Sequence, residues 1–477
     1  MKRSLPPSWT WAKGEDLFSF IRGVSYDKAS ATSQSGEGRV AILRAGNLQN
    51  GCIEFEDLVF VPQNYVRDEQ LLKRGDLVIA MSSGSASVVG KVAVVQDDYS
   101  DFSFGAFCGL LRPVTADLGN WLAHYFQTKS YRNEISRAAA GININNIKRE
   151  HLLEPDIPLA PLNELRCIVV KLEELLGRVE ACQKRLEQVP RLLKQFRQSV
   201  LAAACSGQLS AEWRGEKQNT EDANELPEGW SVKTIGELET FIGSGITPKG
   251  GSTVYVNEGV PFIRSQNVYA SGLVLDDVAY VTEAMHAAMS RTHLKPSDIL
   301  LNITGASIGR SSVVPETFTI GNVNQHVCII RLQPEALPKY VSMFLNSPAG
   351  QDLIFGTQVG MTRQGLNYNQ LRAFSIPLPP PEEQQEIISR VEALITFAST
   401  IEDHLRKAQK QLDKLPQSIL SKAFRGELVP QDPDDEPASV LLERIKAEKS
   451  KTEKPEKKNK RPLVPKSKTA AGRSVLF

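Results

Sequence analysis

The chain has 477 residues, 41% of them hydrophobic, and its 56 basic and 55 acidic side chains leave a formal charge of +1. That balance excludes a phosphate-binding surface spread over the whole molecule and requires any such surface to be local; the length calls for two to four domains. The six cysteines (Cys52, Cys108, Cys167, Cys182, Cys205 and Cys328) form no Cys-x-x-Cys pair, which argues against zinc and against a disulfide framework. The opening residues 1–7 carry no apolar run, so no secretory leader is expected. No stretch approaches the ~20 apolar residues of a membrane span. The cytoplasm is the expected location.

In chain order, residues 1–160 read as an α+β domain. Leu77–Ala80 and the stretch 91–95 are short apolar runs between Gly- and Ser-rich turns, as strands are, and 121–131 reads as a short helix. Residues 161–206 read as one long helix. Its apolar positions step by three and four through Leu165, Ile168, Leu172, Leu175, Val179, Cys182, Leu186 and Val189, the seam of a coiled coil. A linker, 207–224, leads to a second α+β domain, 225–378, with a strand at 327–330 and helices within 338–355. A second long helix, 379–428, keeps a seam of Ile387, Val391, Leu394, Ile401, Leu405 and Leu412. The matched seams predict that the two helices pack on each other, antiparallel, in a pseudo-twofold arrangement. Pro190 and Pro416 are expected to kink or break their helices. The tail, 429–477, is acidic and Pro-rich at first. It has a short predicted helix at 438–447 and is Lys-rich and expected to be disordered from Lys449 onward.

The same text is written twice at an offset near 220. Leu5-Pro6-Pro7-Ser8-Trp9 returns as Leu226-Pro227-Glu228-Gly229-Trp230, and Ile42-Leu43-Arg44-Ala45-Gly46-Asn47 as Phe262-Ile263-Arg264-Ser265-Gln266-Asn267. Gly75-Asp76-Leu77 matches Ser297-Asp298-Ile299, and Ile157-Pro158-Leu159 matches Ile376-Pro377-Leu378. Gln198-Ser199-Val200-Leu201, with Ala204 and Gly207, matches Gln417-Ser418-Ile419-Leu420, with Ala423 and Gly426. So long a period marks a duplicated unit of one domain and one connector rather than a solenoid.

Catalytic signatures are missing. No Asn/Asp-Pro-Pro-Tyr/Phe loop stands ready to hold an extruded adenine, and the stretch 243–250 lacks the GxxxxGK[ST] pattern of a phosphate loop. Pro433-Asp434 with Glu456-Lys457-Lys458 spells a nuclease motif only within the tail. The histidines (His124, His151, His286, His293, His326 and His404) lack metal-ligand spacing.

Two variable domains alternate with two similar helices, each preceded by Ile-Pro-Leu-x-Pro and ending in Gln-Ser-x-Leu…Ala-x-x-Gly-x-Leu. In this the chain resembles the specificity subunits of type I restriction–modification systems over about residues 5–430. The first copy departs from the pattern, with Ala160 and Leu162 where the second has prolines and Cys205 opposite Phe424. The resemblance implies a non-catalytic subunit that binds double-stranded DNA, each domain reading half of a split site and the helices fixing the gap. It also implies two methyltransferase subunits and two motor–nuclease subunits as partners. S-adenosylmethionine, ATP and Mg2+ would belong to those partners, and the assembly would be a site-specific deoxyribonuclease and adenine-specific DNA methyltransferase. Base edges are read by polar and basic side chains on loops. The candidates are Ser82, Ser83, Ser85, Lys91, Asn143, Asn145 and Lys148 in the first domain. In the second they are Arg264, Gln266, Asn267, Thr304, Ser307, Arg310, Asn324, Gln325, Arg363 and Gln364. Arg264, repeated as Arg44, is also open to a structural role. The alternative is a coiled-coil scaffold with two protein-binding domains.

Overall fold

The computed structural model describes residues 5–49, 51–85, 87–139, 145–215, 226–248, 250–357 and 365–452. The chain divides into two compact units, Met1–Gln183 with Lys410–Phe477, and Lys184–Gln409. Each division point falls inside a long helix, Leu162–Cys205 or Pro381–Leu412.

Both units contain an α+β domain of the same topology. In the first, a four-stranded antiparallel sheet runs in the order Phe18–Arg22, Cys108–Pro113, Leu77–Ala80, Val92–Val94. In the second the order is Glu239–Ser244, Val327–Leu332, Ile299–Asn302, Ser311–Val313. Side chains alternate across a strand, and the central strand uses both faces. Leu77 and Ile79 face a core shared with the long helix, while Val78 and Ala80 face a separate core with Leu43, Leu48 and Phe104. Ile299 and Leu301 repeat the first role, Leu300 the second. Such a strand must be apolar throughout, hence the continuous runs in the sequence.

Each domain is fixed to the start of its following helix by one buried contact. Trp9 Nε1 donates to Glu164 Oε2 at 2.9 Å, and Trp230 Nε1 donates to Glu383 Oε2 at 2.9 Å. All four residues are buried. The repeated Ile-Pro dipeptides serve the same junction: Trp121 Nε1 donates to Pro158 O at 3.0 Å, and Tyr340 Oη to Pro377 O at 2.7 Å. The repeated glycines explain themselves too. Gly207 (φ 80°) and Gly426 (φ 71°) are left-handed, where a β-carbon is strained. One would stand 2.4 Å from Pro227 Cγ in the first case and 2.5 Å from Pro6 Cγ in the second.

The long helices contribute to both cores. The first unit's core takes Leu165, Ile168 and Leu172 from the start of one helix and Leu420 and Ala423 from the end of the other. The second takes Ile387 and Val391 from a start, and Val200, Ala204 and Cys205 from an end. Within the second unit the helices run antiparallel. Arg390 Nη1 donates to Leu209 O at 2.9 Å at one level, and Arg197 makes a two-pronged contact with Glu402, at 2.6 and 2.9 Å, further along. Val179 is buried, and Leu175, Leu186, Val189, Leu394, Ile401, Leu405 and Leu412 are half-buried, as a two-helix seam requires; Cys182 is exposed and leaves the seam. Opposite Phe424, which packs on Trp121 at 4.5 Å between ring centroids, the second unit has the smaller Cys205 in the core of Tyr340.

Two expectations need correction. Of the kink or break expected at Pro190, the break is absent: the first helix continues through that exposed position, where solvent can satisfy the carbonyl that loses its partner. Pro416 behaves as expected: the second helix stops at Leu412, and Pro416 sits in the first turn of a new helix, Leu415–Ala423. The predicted tail helix is longer than 438–447. It spans Ala438–Thr452, buries Ala438, Leu441, Leu442 and Ile445 in the first core, and places Lys449 Nζ on the carbonyls of Glu15 and Phe18. The rest of the tail, including Glu456, Lys457 and Lys458, lies outside the described residues.

The two tryptophan-bound glutamates differ in their second oxygen. Glu383 Oε1 accepts from Ser210 Oγ at 2.6 Å and from the Arg214 guanidinium. The matching positions in the first unit, after the second helix, are Val429 and Pro433, and Glu164 Oε1 is buried without a hydrogen-bond partner. Burial accordingly holds the Glu164 carboxyl above the ordinary glutamate range, against the opposing Trp9 bond. A raised folded-state value means that the native chain binds the extra proton, so this group's contribution to stability falls as pH rises through and above that range. Glu164→Gln should therefore flatten the stability–pH curve there and cost less than about 1 kcal/mol at pH 7. Glu383→Gln, which strips a buried guanidinium of its carboxylate, should cost about 3 kcal/mol or more. Denaturant unfolding of both variants from pH 4 to 8 checks this, and equal losses would contradict it.

Candidate nucleic-acid interface

The candidate loops converge in each domain. In the first, Ser82–Ser83 pairs antiparallel with Asn145–Asn146, which brings the serine loop beside the segment that leads to Lys148. In the second, Thr304 bridges Gly365 in the same way, next to the segment holding Arg363 and Gln364. Asn143, Arg363, Gln364 and the side chain of Asn145 lie outside the described residues.

Beside each pairing lies a cleft, and the two share four wall positions: Ala45 and Ser265, Gly46 and Gln266, Ser82 and Thr304, Phe107 and His326. The first, about 830 Å³, is lined by Arg44, Asn47, Glu54, Glu56, Ser82 and Phe107, among others. The second, about 480 Å³, is lined by Gln266, Tyr269, Thr304, Ser307, Arg310 and His326, among others. Backbone hydrogen bonds establish the correspondence. Met81 N donates to Phe107 O and Ile303 N to His326 O; Ala80 N donates to Lys91 O and Asn302 N to Arg310 O. Phe107 thus stands where His326 stands, Lys91 where Arg310 stands, and Ser82 where Thr304 stands.

The basic side chains are held by matching partners. Lys91 Nζ donates to Gln49 Oε1 at 3.2 Å, and Arg310 lies over the Tyr269 ring at 5.0 Å from its centroid. Thr304 Oγ1 and His326 Nδ1 are 2.5 Å apart, and Ser307 Oγ accepts from Asn302 Nδ2 at 3.1 Å. Cys108 is the one thiol on the wall of the first cleft. Burial pushes it up to about 12, so it is no nucleophile at neutral pH.

Comparison with known proteins identifies the family. The model for the type I restriction modification DNA specificity domain matches residues 227–410. The EcoKI specificity subunit of Escherichia coli (strain K12) is 35% identical over 94% of this chain and 96% of its own length. The chain belongs to the type I restriction enzyme specificity subunits. The StySPI specificity subunit of Salmonella potsdam is likewise 35% identical, over 94% of this chain and 96% of its own. The HsdS subunit from Thermoanaerobacter tengcongensis shares the fold at 19% identity, with a TM-score of 0.60 over 90% of this chain and 99% of its own.

For this specificity subunit, several candidates prove to be frame rather than surface. Asn267 is buried. It accepts from Arg264 N at 3.0 Å and donates to Val274 O at 3.0 Å, and Asn47 does the same with Arg44 N and Glu54 O. Arg264 is spent on Asp277, donating to its carbonyl at 2.8 Å, and on the Tyr255 ring; Arg44 meets Asp57 similarly. Asn324 is buried and accepts from His326 N at 3.1 Å. Asn267 is thus part of the frame, with its side-chain oxygen and nitrogen both satisfied inside the fold, and Arg264 and Asn324 are tied to the same frame through Asp277 and His326 N. The repeated aspartates have a similar duty. Asp76 and Asp298 are buried, accept two bonds from Arg112 and Arg331, and receive Lys73 N and Lys295 N at 2.8 Å.

Ser82, Ser83, Ser85, Lys91, Lys148, Gln266, Thr304, Ser307, Arg310 and Gln325 retain at least partial exposure. Gln266 donates to Asp277 Oδ2 at 2.6 Å. Residue-by-residue reading passed over Phe107, Gln49 and Tyr269, which become visible when the two copies are laid on each other at these loops. Asn267→Ala should lower stability by about 1–3 kcal/mol, since it orphans buried backbone groups, whereas Gln325→Ala should change it by less than about 0.5 kcal/mol. Thermal melting of the two variants separates frame from surface, and similar shifts would contradict the assignment.

Proposed function

We propose that this chain is the sequence-specific DNA-binding subunit of a type I restriction–modification complex. Each recognition domain reads one half of a bipartite site, and the paired helices set the gap and dock two methyltransferase subunits. Two motor–nuclease subunits complete the restriction enzyme. S-adenosylmethionine, ATP and Mg2+ act in those partners, and the complex works in the cytoplasm, where the DNA is. Among the described residues no helix is long and apolar enough to cross a membrane.

The observation that carries this reading is one frame built twice with different side chains at its clefts. A scaffold binding two copies of one partner would keep the clefts alike. Two readers of unlike half-sites need a common frame and unlike surfaces. One domain gains about 1–3 kcal/mol of discrimination per good base contact, too little against a whole genome, so two readers on one chain are required. A helical connector holds their separation as a flexible linker does not.

The purified chain should neither methylate nor cleave DNA. With its methyltransferase subunits it should bind one bipartite sequence well above random duplex, measured by competition binding at fixed salt. Binding that stays non-specific in the assembled complex would refute the reading. Inserting one heptad near Val179 should lengthen the unread gap and leave both half-sites unchanged, read out by methylation-aware sequencing of host DNA; altered half-sites with an unaltered gap would sink the role given to the helices.

A further inference from the structure

The clefts differ in a way that specifies what each can read. This inference rests on the DNA-reading function proposed above and deepens it to named residues and base chemistry.

In the second domain the cleft offers hydrogen-bond donors in fixed directions. Thr304 Oγ1 lies 2.5 Å from His326 Nδ1. In the tautomer where the hydroxyl gives its proton to Nδ1, the ring's own proton is on Nε2, where the exposed Gln325 amide lies 3.4 Å away and yields to a stronger acceptor. Arg310, exposed and laid over Tyr269, brings guanidinium donors to the same cleft. Two oriented donors match the N7 and O6 acceptors that guanine alone presents together in the major groove.

In the first domain the position of His326 is taken by Phe107, whose side chain is 66% exposed. Its carbonyl accepts from both Met81 N at 2.8 Å and Ser82 N at 3.1 Å, so the ring projects from a fixed backbone. Glu54 and Glu56 line the same cleft and repel phosphate, so a base edge and not the sugar–phosphate backbone suits the wall beside the ring. An apolar ring in a groove matches the thymine methyl group. Lys91, at the position of Arg310, is drawn to Gln49 and supplies one point charge instead of a planar fork. The loop between these groups is also longer, eight residues between Ser82 and Lys91 against five between Thr304 and Arg310.

We propose that His326 with Arg310 reads a guanine in one half-site, and that Phe107 at the equivalent position reads a thymine methyl in the other. The test uses the full chain assembled with its methyltransferase subunits. Methylation-aware sequencing first gives both half-sites; binding is then measured on duplexes changed one base pair at a time. His326→Ala and Arg310→Met should each reduce discrimination at one G·C pair of one half-site by roughly tenfold or more, as should 7-deazaguanine at that position with the unaltered protein. Phe107→Ala should reduce discrimination at an A·T pair of the other half-site, and uracil for thymine there should reproduce the loss with the unaltered protein. In each variant the opposite half-site keeps its full discrimination, which shows that the protein is folded and assembled. Variants that recognise both half-sites unchanged, or weaken binding to all duplexes equally, would overturn the assignment while leaving the specificity function standing. Failure of the unaltered complex to prefer any sequence would remove the function itself.

Discussion

One buried hydrogen bond, made twice, organises this chain: an indole N–H near the start of each domain donating to a glutamate in the first turn of the helix that follows it. A carboxylate taken out of water costs several kcal/mol unless it is matched. A tryptophan body with a polar tip supplies the donor and the apolar packing together. The bond ties sequence positions 9 and 164, and 230 and 383. Around it gather the other repeated features, the Pro carbonyls that accept from Trp121 and Tyr340 and the left-handed glycines lying against Pro227 and Pro6. Domain and helix thus meet as one packed body, which is the property a ruler needs.

The cores extend this logic. Each domain is completed by the beginning of one long helix and the end of the other, so neither helix belongs to a single domain. The antiparallel contacts of the second unit, from Arg390 on Leu209 to Arg197 on Glu402, follow from that sharing. A partly exposed ion pair such as Arg197–Glu402 adds only about 0.2–1 kcal/mol; burial of Val200, Ile387 and Val391 is the larger contribution.

Much of this architecture was legible in the sequence because it is periodic. The duplication, the two domains, the strands at Leu77 and Val327 and both long helices follow from repeats, apolar runs and seam spacing. The tail helix at 438–447 was visible too, but it runs on to Thr452, with Lys449 on the distant carbonyls of Glu15 and Phe18. Pro190 leaves its helix continuous because the position is exposed and water can reach the carbonyl left without a partner. At the site, the candidate loops lie together in each domain, and within them Asn267 is buried in the frame while Gln325 is exposed. An amide that caps a buried turn and an amide that faces a groove have the same letter. Phe107 escaped notice for the opposite reason: a phenylalanine does not look like a reader until the backbone sets it where the other domain has His326.

The division between frame and cleft bears on how such a protein changes over generations. Asp76, Arg112, Asn47 and their counterparts are locked into bonds whose loss destabilises the domain, while Phe107, Gln325 and Arg310 lie exposed outside those bonds. Substitutions at the cleft are therefore nearly neutral for folding and decisive for recognition. A lineage can drift to a new target by a few replacements on an untouched scaffold. Having two independent frames lets one half-site mutate while the other still anchors the complex.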